Sequence, residues 1–431
     1  MRHSFFRTLP VLMGLTLLPH DAPAQTVTDP ALTVESAVTG GSLSAPTAMA
    51  FIAASDILVT EKATGRVRRV LNGALQAGWV LDLAVANNSE RGLLGMALDP
   101  EFAANSHVFL YYTRAASDGG TALDHRIDRF TWDGSGLVGQ QNVLVLPATP
   151  GPNHDGGVIL FGPPTAPPAQ QKLFAVVGDL NRNNQLENWT TGSIVGGGLA
   201  PDDTAAILRV NRDGTSPSGA EKGPFFDLGT AVGNASLTRL YAYGVRNSFG
   251  MDFDPQTGVL WNTENGAAQY DEINRVLPGF NSGWRRVMGP LARGNFEGAP
   301  GLVDFGGAGV YADPVFSWVN PVAPTAIHFV RGNGIGAQHN GHALVGDSNN
   351  GRLYRFEVNG ARDGFTLTGD VADGVFDPTD TLSLVRFGTG FGAVTGITTG
   401  PDGFVYVLSI ANGTIYRIRP TVTGVEAWRA Y

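Results

Sequence analysis

The chain has 431 residues, no cysteine, 58 glycines, 26 prolines, 29 basic against 38 acidic residues, and a formal net charge of −9. Such an acidic balance excludes nucleic acid as the expected partner, and the lack of cysteine excludes disulfides, so stability has to come from core packing, with or without bound metal. The glycines and prolines are scattered, which punctuates many short strands and does not mark a linker.

Residues 1–24, MRHSFFRTLPVLMGLTLLPHDAPA, place Arg2, His3 and Arg7 ahead of an apolar run from Leu9 to Leu18 and end in Ala22-Pro23-Ala24, the pattern of a cleavable signal peptide. The run is shorter than the ~20 apolar residues of a membrane span, and no later segment reaches that length. The expectation is an exported protein, periplasmic or secreted, with no membrane span and with residues 25–431 as a single domain; without the leader, 27 basic and 37 acidic residues remain.

From residue 47 onward a unit recurs: a short apolar strand, a Pro/Gly/Asp/Asn turn, a Val/Leu/Tyr-rich strand, a second turn, and a strand ending in a basic-apolar pair. TAMAFIAASDILVTEKATGRVRRV (47–70) and TGITTGPDGFVYVLSIANGTIYRI (395–418) are two copies from opposite ends of the chain. Between them lie copies starting at 94, 156, 249 and 325, with HRIDRF, AAILRV and DEINRV as third strands of the second, third and fourth. The intervals of 47, 62, 93, 76 and 70 residues exceed a bare four-strand blade of ~40 to 50, so the middle copies carry loop insertions. Helical periodicity is scarce. The fold class predicted is all-β, a six-bladed β-propeller, whose loops converge on the mouth of a central channel.

Several residues could carry chemistry there. Glu90 and Arg91 are the polar members of SERGLLGMALDPEF. His154, in GPNHDGGVILFG, precedes two glycines that permit close backbone approach, and neutral imidazole is the usual general base once a carboxylate fixes its tautomer. Asp179, closing the second strand of the same copy, is the candidate orienter. Arg246 and Asn247 precede the fourth copy, where a guanidinium can stabilise negative charge. Glu264, Asp271 and Glu272, around Gly266, offer carboxylates among exposed carbonyls, which suits Ca²⁺.

The strings ERGLLGMALDPEF, NHDGGVILFG, GDLNRNNQ, ILRVNRDGTSP, YAYGVRNSFGMDFDPQTG, TENGAAQYDEIN, PGFNSGWRRV, WVNPVAPTAIHF and TGPDGFVYVL, in order between about residues 47 and 418, resemble the soluble quinoprotein glucose dehydrogenases and aldose sugar dehydrogenases, six-bladed propellers that use pyrroloquinoline quinone (PQQ) and Ca²⁺. The resemblance implies oxidation of an aldose or related hydroxyl compound to a lactone or carbonyl product, with an external electron acceptor. It implies His154 as the base that removes the hydroxyl proton while hydride passes to the quinone, Asp179 as its support, and Arg246 and Asn247 beside the quinone carbonyls. It further implies Gly266 and Ala267 as backbone ligands of the cofactor's Ca²⁺, Glu272 and the backbone of Ser282 at a second calcium, and Glu90, Asn184 (or its neighbour Gln185) and Trp318 at the substrate.

The sequence departs from the family at its cations. Asn349 or Asn350 stands where the family has a lysine, and Ala393 and Thr395 where it has an arginine pair; Arg352, Arg355 or Arg386 are the candidates to replace them against the three carboxylates of PQQ. Two other readings follow from that departure: a calcium-dependent hydrolase or lactonase working without PQQ, and a non-catalytic propeller that binds a glycan or a protein.

Overall fold

A computed structural model describes residues 24–188, 200–293 and 301–421; the leader-like residues 1–23 lie outside them. The described strands form six sheets. Their innermost strands are Pro46–Ala53, Leu93–Leu98, Ile159–Gly162, Gly250–Phe253, Pro324–Phe329 and Val394–Thr399, within three residues of the repeat starts expected at 47, 94, 156, 249, 325 and 395. Each packs against the next, and the sixth against the first, so the sheets close into a propeller ring.

Within each sheet the innermost strand pairs antiparallel with the strand that follows it, as Pro46–Ala53 does with Asp56–Glu61. Antiparallel pairing puts the start of every innermost strand and the end of its partner at the same face of the ring. Matching hydrogen bonds mark that shared register: the amides of Lys62, Asn265, Ser348 and Ile410 donate to the carbonyls of Ala45, Asn247, Ala323 and Ala393, respectively, at 2.8–3.0 Å.

Second strands such as Lys172–Val177 read as apolar runs because both of their faces are covered, and successive side chains point to opposite neighbours. In the first sheet Leu58 packs toward the second sheet, with Leu93, Met96 and Leu110, while Ile57 and Val59 pack toward the sixth, with Tyr406, Leu408 and Ile415. In the third sheet Leu173, Ala175 and Val177 join the second sheet's Phe109 and Tyr111, while Phe174 and Val176 join the fourth sheet's Met251 and Phe253. Each junction between neighbouring sheets therefore has its own apolar cluster. Burying a side chain such as Phe109 or Phe174 contributes about 1.5–3 kcal/mol.

The ring is fastened by the beginning of the chain. Leu32–Ser36 pairs with Thr414–Pro420 as the outer strand of the sixth sheet, and Thr26–Val27 adds to the fifth sheet along Arg386–Thr389. Helices among the described residues are short; Phe226–Val232 and Ala235–Arg239 fill part of the long insertion between the third sheet's strands Ala206–Val210 and Leu240–Tyr243. No described helix is long and apolar enough to cross a membrane.

Candidate active site at the channel mouth

The loop before the third innermost strand carries His154 at φ +64°, a left-handed conformation uncommon for a residue with a side chain. It is fixed from three sides. Its amide donates to Glu90 Oε2 at 2.6 Å. Its Nδ1 lies 2.6 Å from Asp179 Oδ1. Behind it, Gly178 lies so close that a Cβ there would sit 2.2 Å from the His154 carbonyl oxygen and 2.8 Å from that of Arg246, so only glycine lets the two loops touch. Gly156, one of the two glycines expected to permit close backbone approach, does so: a Cβ would lie 2.6 Å from Val176 O.

Asp179 is held as firmly. Oδ1 also accepts from the Asn181 amide at 2.8 Å, Oδ2 accepts from Trp284 Nε1 at 2.7 Å, and the Asp179 amide donates to Arg246 O at 2.8 Å. A carboxylate facing Nδ1 makes that nitrogen the protonated one, leaving Nε2 as the basic atom of the ring. The Arg246 guanidinium lies over the Trp284 ring, 5.3 Å from its centroid. Its Nη1 donates to the carbonyls of Asn265 and Gly266, each at 2.9 Å. Asn247 Nδ2 donates to Glu90 Oε2 at 3.1 Å, so Glu90 ties the second repeat to the third and the fourth.

Beneath the His154 loop, Asp155 is fully buried, with His125 Nε2 at 3.0 Å and Arg91 Nε at 3.8 Å, and His125 Nδ1 meets Thr113 Oγ1 at 3.0 Å. Sequence reasoning missed this prop, and it missed Trp284. The signal was adjacency alone: Asp155 follows His154, and Trp284 lies in PGFNSGWRRV.

Behind Arg246 the buried carboxyls gather. Ser282 Oγ donates to Glu264 Oε2 at 2.7 Å and approaches Glu272 Oε2 at 3.5 Å; Asn274 Nδ2 and the Gly289 amide also donate to Glu272. Burial raises both glutamates above the ordinary carboxylate range, and Glu272 pushes Glu264 further. Asp271 accepts from the amides of Gly266, Val322 and Ala323, yet burial outweighs those bonds and lifts it to about 6. Glu187, also missed from sequence, is pushed up to about 9 by burial and then by Asp179 and Asp202.

The donor set of Glu264, Glu272 and Ser282 is all oxygen and fits a hard divalent cation, which would replace the protons these buried acids otherwise retain. Among the described residues no cluster of three or more His, Asp or Glu side chains stands ready to hold a metal. Gly266 O already receives Arg246, while Ala267 is exposed next to it.

A cavity of about 340 Å³ opens at this face, inside the range of roughly 300–1,000 Å³ typical of ligand sites. Lys62, Glu90, Asn265, Thr325, Ser348 and Thr395 are among its lining residues. Close by, Arg246 Nε, Asn247 Oδ1 and Asn265 Oδ1 are buried with no hydrogen-bond partner among the described residues. Of these, Arg246 Nε is a spare donor that fits an anionic group such as PQQ, while the two amide oxygens would take a donor from whatever binds.

Other expected residues are elsewhere. Trp318, expected at the substrate, is buried between the fourth and fifth sheets, its ring 5.0 Å from Phe316 and 5.2 Å from Tyr354, so it packs as core. Asn184 is fully buried, accepting from the Leu186 amide at 2.7 Å and donating to Asp202 and Thr204; it caps a turn, and Gln185 beside it is buried too. In the fifth repeat Ser348, not Asn349 or Asn350, lines the cavity: Asn349 donates outward to Pro321 O and Asn350 is tied to Asp347. Ala393 contributes its carbonyl to Ile410, while the Thr395 hydroxyl bonds Pro46 O. Arg352, Arg355 and Arg386 are absent from the lining; Arg355 donates to Gln338 O. The cation in the lining is Lys62; His154, Asp179, Arg246 and Asn247 stand behind the lining residues Glu90 and Asn265, to which His154, Arg246 and Asn247 are bonded.

The glucose/sorbosone dehydrogenase family model matches residues 43–417. Quinoprotein glucose dehydrogenase B of Acinetobacter calcoaceticus is 28% identical over 262 residues, 57% of this chain and 51% of that protein. An aldose sugar dehydrogenase of Escherichia coli is 26% identical over 344 residues, 77% and 78% of the two chains. The crystal structure of a putative oxidoreductase (glucose dehydrogenase) from Thermus thermophilus superposes with a TM-score of 0.67 at 28% identity, covering 90% of this chain and 99% of that one. With a model match spanning most of its length, the chain belongs to the glucose/sorbosone dehydrogenase family, oxidoreductases that act on the CH–OH groups of sugars.

Proposed function

We propose that this protein is an exported PQQ- and Ca²⁺-dependent dehydrogenase that oxidises an aldose or related hydroxyl compound to a lactone or carbonyl product. Each of the six sheets is read as one blade, with the site at the channel mouth. The observation that carries the reading is the His154–Asp179 pair, braced by Glu90, Trp284 and Gly178, within one loop of an arginine aimed at the cavity's carbonyl rim. PQQ, when bound, supplies the two-electron acceptor. Arg246 and Asn247 would hold it; Glu272 with Ser282, and the carbonyls of Gly266 and Ala267, would hold calcium.

The chain's own residues divide the remaining work. His154 Nε2 accepts the proton of the sugar hydroxyl as its C–H hydride departs. Asp179, already bonded to Nδ1, stabilises the imidazolium so formed and keeps the ring from rotating. Glu90 fixes the backbone of the base and the amide of Asn247 together, which would hold the base in register with a quinone bound by Asn247. Arg246 would set positive charge beside the bound quinone and so stabilise its reduced form.

The test is reconstitution with PQQ and Ca²⁺, a dye acceptor and a panel of aldoses, comparing the protein with His154→Ala. Dye reduction that depends on the sugar and disappears in the variant supports the reading; no reduction with any sugar sinks it. A hydrolase or lactonase reading draws on the uncharged fifth- and sixth-sheet side of the cavity, Thr325, Ser348, Thr395 and Ile410, and quinone-independent turnover of lactones would favour it.

A further inference from the structure

Lys62 follows the strand Asp56–Glu61 and lines the mouth cavity from the first sheet. Its ammonium donates to Ser89 O at 2.6 Å and, more weakly, to Asn87 O at 3.5 Å. An ammonium has three N–H donors, so one is left over. No carboxylate stands within ion-pair distance of it among the described residues: Glu90, its acidic neighbour in the lining, turns Oε2 to the amides of His154 and Asp155 and to Asn247. Across the cavity the corresponding repeat positions are Asn265, Ser348 and Ile410, all uncharged. With its carboxylate neighbours out of contact, a half-buried ammonium keeps a donor available for an anion that arrives beside it. Burial accordingly pulls its pKa below the usual lysine value, with Asp155 and Glu90 opposing.

We infer that Lys62 is the carboxylate-binding group of this cavity, its spare N–H directed at an acid group of whatever the cavity holds. The inference rests on the dehydrogenase reading. Two ligands share that chemistry, a carboxylate of the quinone cofactor and the carboxylate of a sugar acid. The position explains how the mouth can do without cations on its fifth and sixth sheets: the charge has been moved to the first. Lys62 is a positioning residue, since no proton or hydride passes through it.

The experiment titrates PQQ into the calcium-loaded protein, Lys62→Met and Lys62→Arg, followed by calorimetry and absorbance, and measures KM for an aldose and for a uronic acid. Thermal midpoints of the ligand-free variants check folding. Loss of one charge-assisted hydrogen bond predicts quinone binding weakened about 10- to 100-fold in Lys62→Met and restored to within a few-fold in Lys62→Arg. Unchanged quinone binding with a KM raised at least about tenfold for the uronic acid alone supports the same role, with substrate as the source of the carboxylate. If Lys62→Met alters neither while the wild type binds quinone, the inference is overturned and the dehydrogenase reading stands; if the wild type takes up no quinone, both fall.

Discussion

Replacing Asp179 with asparagine changes one oxygen for an amide nitrogen and removes one charge, at a group that accepts three hydrogen bonds: from His154 Nδ1 and the Asn181 amide on Oδ1, and from Trp284 Nε1 on Oδ2. The amide has a single acceptor oxygen. If that oxygen faces His154, its NH₂ meets the Trp284 N–H, donor against donor. If it faces Trp284, the NH₂ donates to Nδ1, forcing the proton to Nε2 and abolishing the base. Either way the imidazolium loses its neighbouring negative charge. The expected fall in kcat/KM is about 10²- to 10⁴-fold, or about 3–5 kcal/mol of barrier at 1.36 kcal/mol per decade. A second readout comes from Glu187, whose pKa is held near 9 first by burial and then by Asp179. A carboxyl with a folded pKa above its unfolded value of 4.5 binds more protons when folded, so its stabilisation is complete below about pH 4.5 and is lost as pH rises toward about 9. Asp179→Asn lowers the upper end of that window, so its midpoint declines less between pH 7 and 9 than that of the parent. A kcat/KM within threefold of the parent, or superimposable profiles of midpoint against pH, would refute the reasoning.

Glu187→Gln removes the titration itself: the parent should lose up to about 1.4 kcal/mol per pH unit from this group inside the same window, and the variant should be flatter by that slope in urea unfolding at pH 6, 7 and 8. Gly178→Ala pushes a methyl onto the carbonyls of His154 and Arg246 and is expected to lower the thermal midpoint and abolish turnover together; a variant with parental activity argues against the packed loops. Glu90→Ala strands the His154 amide and Asn247 Nδ2 and should cost about 1–3 kcal/mol for each unpaired group that stays buried, measured as kcat/KM alongside the unfolding midpoint. Added Ca²⁺ should raise the midpoint more at pH 8 than at pH 5, because binding displaces protons retained by Glu264 and Glu272; equal shifts at both pH values, or none, count against a cation at those carboxyls.

What the sequence made legible was the repeat and its strand edges. Strands such as Leu173–Val177 are apolar on both faces, so they read as runs, and the turns between them are marked by glycine, proline and asparagine. His154, Asp179 and Arg246, far apart in the chain, meet because each lies at the same end of its sheet. Trp318 and Asn184 went the other way for different reasons: side chains along a strand alternate between the two neighbouring sheets, and Trp318 packs into one of them with Tyr354, whereas Asn184 lies off the strands and spends its amide capping a turn. Lys62 could have been found, since it occupies the repeat position of Asn265, Ser348 and Ile410, but it draws attention only once those positions are known to share a cavity. The helices Phe226–Val232 and Ala235–Arg239 left no readable period because each spans two turns or fewer.

The fastening of Leu32–Ser36 to Thr414–Pro420 joins segments such that Glu35 and its partner Arg417 are 382 positions apart. During synthesis, a strand made early is therefore among the last to find its partner, and until the final sheet is present it remains an open edge of the kind that pairs with the wrong chain. Closing so long a loop costs little more entropy than closing a shorter one, because the cost grows only with the logarithm of its length. The burden is kinetic: distant pairings slow the search. A chain cut short before Thr414 would keep five sheets' worth of sequence and still lack the strand that completes the ring.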